Sequence, residues 1–201
     1  MLKVVNEILN KTDHQFEFID LGGGMGITYS DKNKKLNYKK YNKAILKFLE
    51  KRKVKIIFEP GRSIIGDTAT LITKVIYIKD SERKKFIILD AAMNDLMRPA
   101  LYGATHKIIP AKLTKKYINK NHEFVGPICE STDRFSIISK FQKLEEKDLI
   151  IIRDVGAYGM SLSSNYNVRP KPIEILIKGS KINKYRRFAI LWRLWFQEFR
   201  T

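Results

Sequence analysis

Cys129 and Glu130 place a thiol and a carboxylate side by side in the segment GPICES, 126–131. A cysteine thiol can act as a general acid or as a nucleophile, and a carboxylate can bind an ammonium group. The acidic neighbours Glu130 and Asp133 disfavour the thiolate, so the arrangement favours proton donation over thiolate attack. A lone cysteine is also a common small buried residue, and that alternative stays open.

Two glycine-containing turns have the composition of anion-binding sites: GGGMG (22–26) and EPGR (59–62). Glycine lets backbone N–H groups approach an anion closely. Gly61 and Arg62 could complete a phosphate site begun by the first turn, and Glu59 could accept a hydrogen bond from a protonated ring nitrogen. Each motif alone could equally be a plain tight turn, the second one with a surface ion pair.

A cationic and a phenolic side chain stand four residues apart in DAAMNDLMRPALYG, 90–103. A helical turn would place Arg98 and Tyr102 on one face, and a guanidinium can bind a carboxylate through two parallel hydrogen bonds. Asp90 and Asp95 could instead pair with Arg98 and make it structural. The motif alone leaves both interpretations open.

Tyr158 lies in a glycine-flanked loop, VGAYGMSLSSNYNVRPKP (155–172), from which its phenol could reach a phosphate or a carboxylate. Turn-forming Gly, Ser, Asn and Pro residues would explain most of this loop without a function. The histidines show no metal-ligand spacing, so we predict no metal site. They are His14, His106 and His122.

The first 67 residues alternate between helix and strand patterns. FEFID (16–20) and KIIF (55–58) are strand candidates, each followed by one of the glycine turns, with a helical apolar stripe between them. Such a unit predicts two parallel strands joined by a right-handed crossover. Both turns would then lie at the C-terminal ends of the strands, where α/β enzymes hold their chemistry. The stripe consists of Tyr38, Tyr41, Ile45, Leu46 and Leu49.

From residue 68 the pattern changes to β-branched runs separated by turns, which is typical of an antiparallel β domain. Two parallel strands cannot close a barrel. We therefore expect a fold class of α/β plus all-β, with the C-terminal remnant of a (β/α)8 barrel over 1–67 and an antiparallel β-barrel or sandwich domain over 68–182. The aromatic, basic tail 183–201 could be a docking helix, a membrane-surface helix or a sequence foreign to the fold. The runs are 70–78, 85–92, 106–113, 148–155 and 173–179.

The chain has 201 residues and a formal charge of +18, which by itself suggests a nucleic-acid partner. Its lysines are spread over the whole chain without a base-reading motif, so a compositional bias explains the charge and we expect no nucleic acid. No segment approaches the length of a membrane span, and the single cysteine fits a reducing compartment. The expected location is the cytoplasm, without a membrane partner.

Taken together, these residues resemble the diaminopimelate decarboxylases, fold-type III enzymes that use pyridoxal phosphate. The resemblance extends from about Phe16 to about Gly179 and rests on motifs that stand in family order. The Cys129–Glu130 pair and the RPALY stretch favour this branch over the related ornithine and arginine decarboxylases. The motifs are LGGGMGITY, EPGRSIIGD, DAAMNDLMRPALYGA, VGPICESTD and GAYGMSLSSNYNVRPKP.

The resemblance implies pyridoxal 5'-phosphate as cofactor. Gly23, Gly24, Gly61 and Arg62 would hold its phosphate, and Glu59 would pair with the pyridinium nitrogen so that the ring remains an electron sink. Tyr158 would line the same pocket and meet both cofactor and substrate.

The resemblance also implies the substrate, meso-2,6-diaminopimelate, and the product, L-lysine. Arg62, Arg98 and Tyr102 would bind substrate carboxylate, and Glu130 would contact the distal amino group. Cys129 would protonate the carbon that loses carbon dioxide. In this family the Cys-Glu pair enters the active site of the other subunit, so a homodimer with shared active sites is implied.

Two departures from the family pattern bear on these expectations: most of the barrel with its Schiff-base lysine does not appear, and the aromatic tail after Lys181 is not expected of the family. Family members carry most of an eight-stranded barrel with a Schiff-base lysine, and no lysine of 1–67 stands in a matching context. We therefore expect a fragment that is inactive alone and needs a separate N-terminal chain. The alternatives are a decarboxylase of another basic amino acid, a non-enzymatic basic binding module, or a pseudogene product.

Overall fold

The computed structural model describes residues 1–29, 35–50 and 52–186, without the side chains of 183–186. Most of the predicted tail, from residue 187 onward, lies outside the described residues. Within these ranges no helix is long and apolar enough to cross a membrane.

The first part of the chain forms the predicted strand–helix–strand unit. β1 and β2 pair in parallel, with Ile19 opposite Ile56, and α2 makes the crossover between them. The side chain of Asn37 caps α2 by accepting the N–H of Lys40 at 3.0 Å. The elements are α1 Leu2–Leu9, β1 Phe18–Asp20, α2 Tyr38–Leu49, β2 Lys55–Ile57 and α3 Arg62–Ile65.

This two-stranded sheet leaves apolar side chains uncovered. α1 buries no residue, and Phe18 of β1 and Ile57 of β2 are 47% and 43% exposed. α2 buries Ile45 and Phe48, whereas Leu46 of the predicted stripe is exposed. A pair of strands with both neighbours missing has this exposure, so the geometry agrees with the predicted barrel remnant.

The second part of the chain is dominated by one six-stranded sheet with the order β5-β10-β3-β4-β7-β8. Two further strand pairs, β6-β9 and β11-β12, lie outside it. The elements are β3 Thr70–Asp80, β4 Lys84–Leu89, α4 Arg98–Tyr102, β5 Ile108–Pro110, β6 Tyr117–Ile118, β7 Asn121–Val125, β8 Arg134–Ile138, β9 Phe141–Gln142, β10 Leu149–Arg153, β11 Glu174–Lys178 and β12 Lys181–Arg186.

The prediction of an all-β second part is confirmed, with one difference in strand direction. Every described neighbour pair of the large sheet is antiparallel except β4 and β7, which run parallel from Lys84 opposite Asn121. The long connection between them, which contains α4 and β5, carries the chain back to the starting end of the sheet. A crossover of that length permits a parallel neighbour, whereas a hairpin does not.

The core of the sheet consists of fully buried aliphatic and aromatic side chains. Val75, Leu89, Phe124 and Ile150 are each completely shielded from solvent. The division of the chain at residue 67 stays a prediction.

The large sheet contacts the first part of the chain at the end of β10. The N–H of Gly156 donates to the carbonyl of Gly66 at 3.0 Å, and a Cβ on Gly156 would lie 1.9 Å from the carbonyl oxygen of Ile65. Only glycine allows so close an approach. This contact fixes the loop that carries Tyr158 against α3.

Replacement of a core leucine tests this assignment of the core. Leu89→Ala removes a fully buried side chain and should lower the free energy of unfolding by about 2–5 kcal/mol. Leu176→Ala, in the exposed hairpin strand β11, is the matched control and should change it by less than about 1 kcal/mol. Urea unfolding of the full chain measures both, and equal effects would contradict the assigned core.

Candidate active site

The two glycine turns meet at the C-terminal ends of β1 and β2. The N–H of Glu59 donates to the carbonyl of Gly22 at 2.9 Å, which continues the parallel pairing beyond the strands. A Cβ on Gly23 would lie only 2.4 Å from the carbonyl oxygen of Glu59. The contact between the turns therefore requires glycine at position 23.

The surroundings of these turns fit an anionic group. Gly24 has a φ of +78°, and Cβ atoms placed on Gly24 and Gly61 would meet no atom within 4 Å, so there is open space beside both backbones. A guanidinium nitrogen of Arg62 lies 3.7 Å from the Cβ position of Gly26. Glu59 is exposed at the same edge. Space, backbone amides and a cation together match the requirements of a phosphate.

Arg98 lies in a cage of aromatic rings and is only 6% exposed. Its Nη1 donates to Nε2 of His106 at 3.1 Å, and its guanidinium carbon lies 4.7 Å from the ring centre of Tyr29 and 5.9 Å from that of Tyr158. Both tyrosines lie within the range of cation–π attraction. The structure therefore brings together Arg98 and Tyr158, which the sequence predicted separately.

The acidic residues near Arg98 in sequence bind other partners. Oδ1 of Asp90 accepts hydrogen bonds from Thr73 Oγ1 at 2.6 Å and from the N–H of Lys74 at 2.8 Å. Asp95 accepts the N–H of Ala92 at 2.8 Å. Among the described residues, no carboxylate lies within 4 Å of the Arg98 guanidinium. The interpretation of Arg98 as a structural ion-pair residue is therefore not supported.

Tyr102 shares α4 with Arg98 but not its environment. The phenol-bearing side chain is 64% exposed, whereas Arg98 is buried. Gly103, with a φ of +60°, ends the helix immediately after Tyr102. The four-residue spacing therefore does not bring the two side chains into one described cluster, and the role of Tyr102 stays a prediction.

Cys129 and Glu130 lie exposed in the loop between β7 and β8. The hydroxyl of Tyr166 donates to Oε1 of Glu130, and Thr132 Oγ1 donates to Oε2 at 3.4 Å. These described contacts include neither Arg98 nor the glycine turns. The predicted site residues therefore form three groups within this chain: the glycine turns, the Arg98 cage, and the Cys129–Glu130 loop.

Asp133 has a structural role in this loop that the sequence did not reveal. It is buried, and its two carboxylate oxygens accept the N–H groups of Met93 at 2.7 Å and Ile128 at 2.8 Å. Burial raises the pKa of this carboxyl group, although the two N–H donors act in the opposite direction. Asp133 thus holds the loop that presents Cys129.

Further residues that sequence reasoning missed connect the loops of the site. Buried Asn94 donates from Nδ2 to the carbonyl of Ser164 at 3.3 Å, and Arg169 Nε donates to Asn94 Oδ1 at 3.0 Å. The hydroxyl of Tyr29 is buried without a hydrogen-bond partner in the described structure. The quoted motifs contain these side chains: Asn94 lies in 90–103, Ser164 and Arg169 lie in 155–172, and Tyr29 ends LGGGMGITY. Single polar residues in loops, however, give no periodic signal.

The described residues contain no group of three or more His, Cys, Asp or Glu side chains arranged to hold a metal ion. A family model described as pyridoxal-dependent decarboxylase, C-terminal sheet domain, matches residues 6–156. The chain belongs to this family. The resemblance expected from the motifs is thereby confirmed, as is the fold class.

Several relatives of this decarboxylase family are named diaminopimelate decarboxylase. One from Neisseria meningitidis serogroup B is 46% identical over 171 residues, and one from Aquifex aeolicus is 38% identical over 187 residues. They align with 85% and 92% of this chain but only 41% and 44% of their own length. The chain thus spans less than half the length of the curated relatives it matches.

Solved structures of decarboxylases are similar to this chain in fold. Diaminopimelate decarboxylase from Helicobacter pylori, complexed with L-lysine, matches 98% of this chain and 48% of its own chain, with a TM-score of 0.82 and 38% identity. A lysine/ornithine decarboxylase from Vibrio vulnificus matches with a TM-score of 0.69 and 22% identity, which shows a shared fold alone.

Substitution of Asp133 tests how the Cys129 loop is held. Asp133→Asn replaces one acceptor oxygen by an amide that cannot accept the N–H of Met93 or Ile128, and it should cost about 1–3 kcal/mol of folding free energy. The exposed acid Asp67 gives a control, Asp67→Asn, expected to be nearly neutral. If urea unfolding shows no difference between the two variants, Asp133 does not organise the loop.

Proposed function

We propose that this chain provides the C-terminal part of a pyridoxal phosphate-dependent decarboxylase that converts meso-2,6-diaminopimelate into L-lysine and carbon dioxide. The observation that carries the proposal is the buried guanidinium of Arg98, which has no described carboxylate partner beside it. A buried cation without a counter-charge favours an anionic ligand. The names of the relatives support diaminopimelate as that ligand.

The glycine turns support pyridoxal phosphate as the cofactor. Gly23, Gly24, Gly61 and Arg62 would hold its phosphate at the edge where β1 and β2 end, and Glu59 would hold its ring nitrogen. When bound, the cofactor supplies the electron sink that makes loss of carbon dioxide from an amino acid possible. The protein contributes position and charge around it.

We assign substrate binding to side chains on α3, on α4 and on two loops. Arg62, Arg98, Tyr102 and Tyr158 would meet substrate carboxylate, and Arg98 is already oriented by the rings around it. Glu130 would accept hydrogen bonds from the distal ammonium group. Glu130 for that ammonium and Arg98 for the neighbouring carboxylate would together suit the zwitterionic far end of diaminopimelate.

Cys129 is proposed to be the general acid. Its Sγ–H bond would break as the proton passes to the carbon that has lost carbon dioxide, and the thiolate would regain a proton from solvent. Cys129 is exposed, which fits a thiol that donates its proton to a substrate bound by other parts of the protein.

We also propose a homodimer in which this loop completes the partner's active site. The described contacts of Cys129 and Glu130 do not reach Arg98 or the glycine turns of the same chain. A second copy would supply them in trans. The exposed thiol also fits the reducing cytoplasm, where we place the protein.

The exposed apolar side chains of β1 and β2 support a larger barrel that would cover them. We propose that a polypeptide bearing the remaining strands and the Schiff-base lysine completes the catalytic unit. A decarboxylase of another basic amino acid is the second candidate. The substrates of the two candidate enzymes differ at the end that does not react. Competition between ornithine and diaminopimelate therefore distinguishes the two functions.

Release of carbon dioxide from carboxyl-labelled meso-diaminopimelate tests the proposed function. The full chain with pyridoxal phosphate should release none, and it should become active when the N-terminal barrel segment of the Neisseria relative is added. Release by the chain alone would mean that one of its own lysines holds the cofactor, and the need for a second polypeptide would be wrong. No release in the complemented mixture would contradict the decarboxylase assignment.

The same complemented mixture tests the role of Cys129. Cys129→Ala should lower the rate of lysine formation by about 100-fold or more, because it removes the proton donor. Cys129→Ser keeps a weaker donor and should retain more activity. Ser131→Ala, in the same exposed loop, is the control and should leave the rate unchanged. An unchanged rate in Cys129→Ala would exclude Cys129 as the acid.

A further inference from the structure

His106 lies against Arg98 and is only 5% exposed. Its Nε2 faces Arg98 Nη1 at 3.1 Å, and its Nδ1 faces the carbonyl oxygen of Arg153 at 2.9 Å. We infer that His106 is a positioning residue for the carboxylate-binding Arg98, which it orients only as the neutral imidazole with its proton on Nδ1. The inference deepens the proposed function and rests on it for the carboxylate.

The two contacts of His106 fix its tautomer. A guanidinium group has only donors, so Nε2 must present a lone pair to Arg98. A carbonyl oxygen only accepts, so Nδ1 must carry the proton that goes to Arg153. The other tautomer would set two donors face to face on one side and two acceptors on the other. The carbonyl of Arg153 in β10 thus fixes the imidazole, and the imidazole in turn orients the guanidinium of Arg98.

The described contacts of Arg98 use only part of its hydrogen-bonding capacity. Tyr29 and Tyr158 lie within cation–π distance of the guanidinium, and His106 occupies Nη1. A guanidinium has five N–H donors, so further donors remain for a carboxylate. Without His106 the group would lose the contact that sets its rotation, and a two-point grip on a carboxylate depends on that orientation.

Protonation of His106 would break this arrangement. Burial lowers the pKa of His106, and the charge of Arg98 lowers it further, whereas the Arg153 carbonyl and the buried carboxylate of Asp154 act in the opposite direction. Among the described residues, the ring of Tyr29 also packs edge-on against His106, with ring centres 5.2 Å apart, and Tyr158 contacts Arg98. An imidazolium would offer Arg98 no lone pair and a second positive charge, so carboxylate binding should weaken as the pH falls through the pKa of His106.

NMR of the full chain with labelled histidine and arginine side chains tests this without any ligand. His106 should show the tautomer protonated at Nδ1 and a pKa below that of an ordinary histidine. Arg98→Met removes the neighbouring cation and should raise that pKa, whereas Arg83→Met, at an exposed arginine, should not. A pKa of His106 that is ordinary and the same in all three proteins would overturn the inference.

A pair of variants at position 106 separates positioning from packing. His106→Gln keeps an acceptor for Arg98, so the N–H signals of the Arg98 guanidinium should stay in slow exchange. His106→Leu removes the acceptor, and these signals should be lost. In the complemented, cofactor-loaded protein, affinity for pimelate should fall about tenfold in His106→Leu and by less in His106→Gln. The loss of pimelate affinity that accompanies protonation of His106 below neutral pH should be absent in His106→Gln.

Each result has a distinct meaning. Equal Arg98 signals in the two variants would overturn the positioning role. If His106→Leu does not fold, the pKa comparison with Arg98→Met decides alone. If the NMR results hold but pimelate does not bind, the positioning of Arg98 by His106 stands and the proposed carboxylate-binding function is wrong.

Discussion

The buried charge of Arg98 is the constraint on which the site depends. Removing a guanidinium from water costs several kcal/mol unless hydrogen bonds and a counter-charge offset it. The fold supplies an imidazole lone pair and two aromatic faces, but no carboxylate within 4 Å of the guanidinium among the described residues. The cation is therefore held in place while part of its hydrogen-bonding capacity is kept for an anion. This property makes a carboxylate the expected ligand.

The remaining structure holds three loops around that cation. Asn94 and Arg169 tie the segment before Arg98 to the loop after β10, and Gly156 packs that loop against α3. Asp133 anchors the Cys129 loop to Met93 in the same segment. The glycine turns, the arginine cage and the thiol loop are thus attached to one network, although the thiol does not contact the other two groups. The proposed dimer would bring the thiol to the other two groups.

The sequence predicted the parts of this protein that depend on periodic burial or on motif order. It located β1, β2 and the long β-branched strands because their apolar runs are continuous. It missed β7 because His122 and Glu123 are buried in that strand, where Glu123 pairs with Lys84 at 2.5 Å, so no apolar alternation marks it. The sequence gives no sign of the role of His106, because His106 has no metal-ligand spacing. Its partners are Arg98 and the distant carbonyl of Arg153, which only the fold brings together.

The most direct test of this account is the affinity of the complemented, cofactor-loaded protein for pimelate, a dicarboxylate without amino groups that is not decarboxylated during a calorimetric titration. Arg98→Met should weaken binding at least tenfold, because a charged hydrogen bond to the carboxylate is lost. Arg83→Met, which removes an exposed arginine from the turn between β3 and β4, should bind like the unaltered protein. Equal affinity in all three proteins would show that the buried guanidinium does not receive the substrate carboxylate, and the account would fail at its centre.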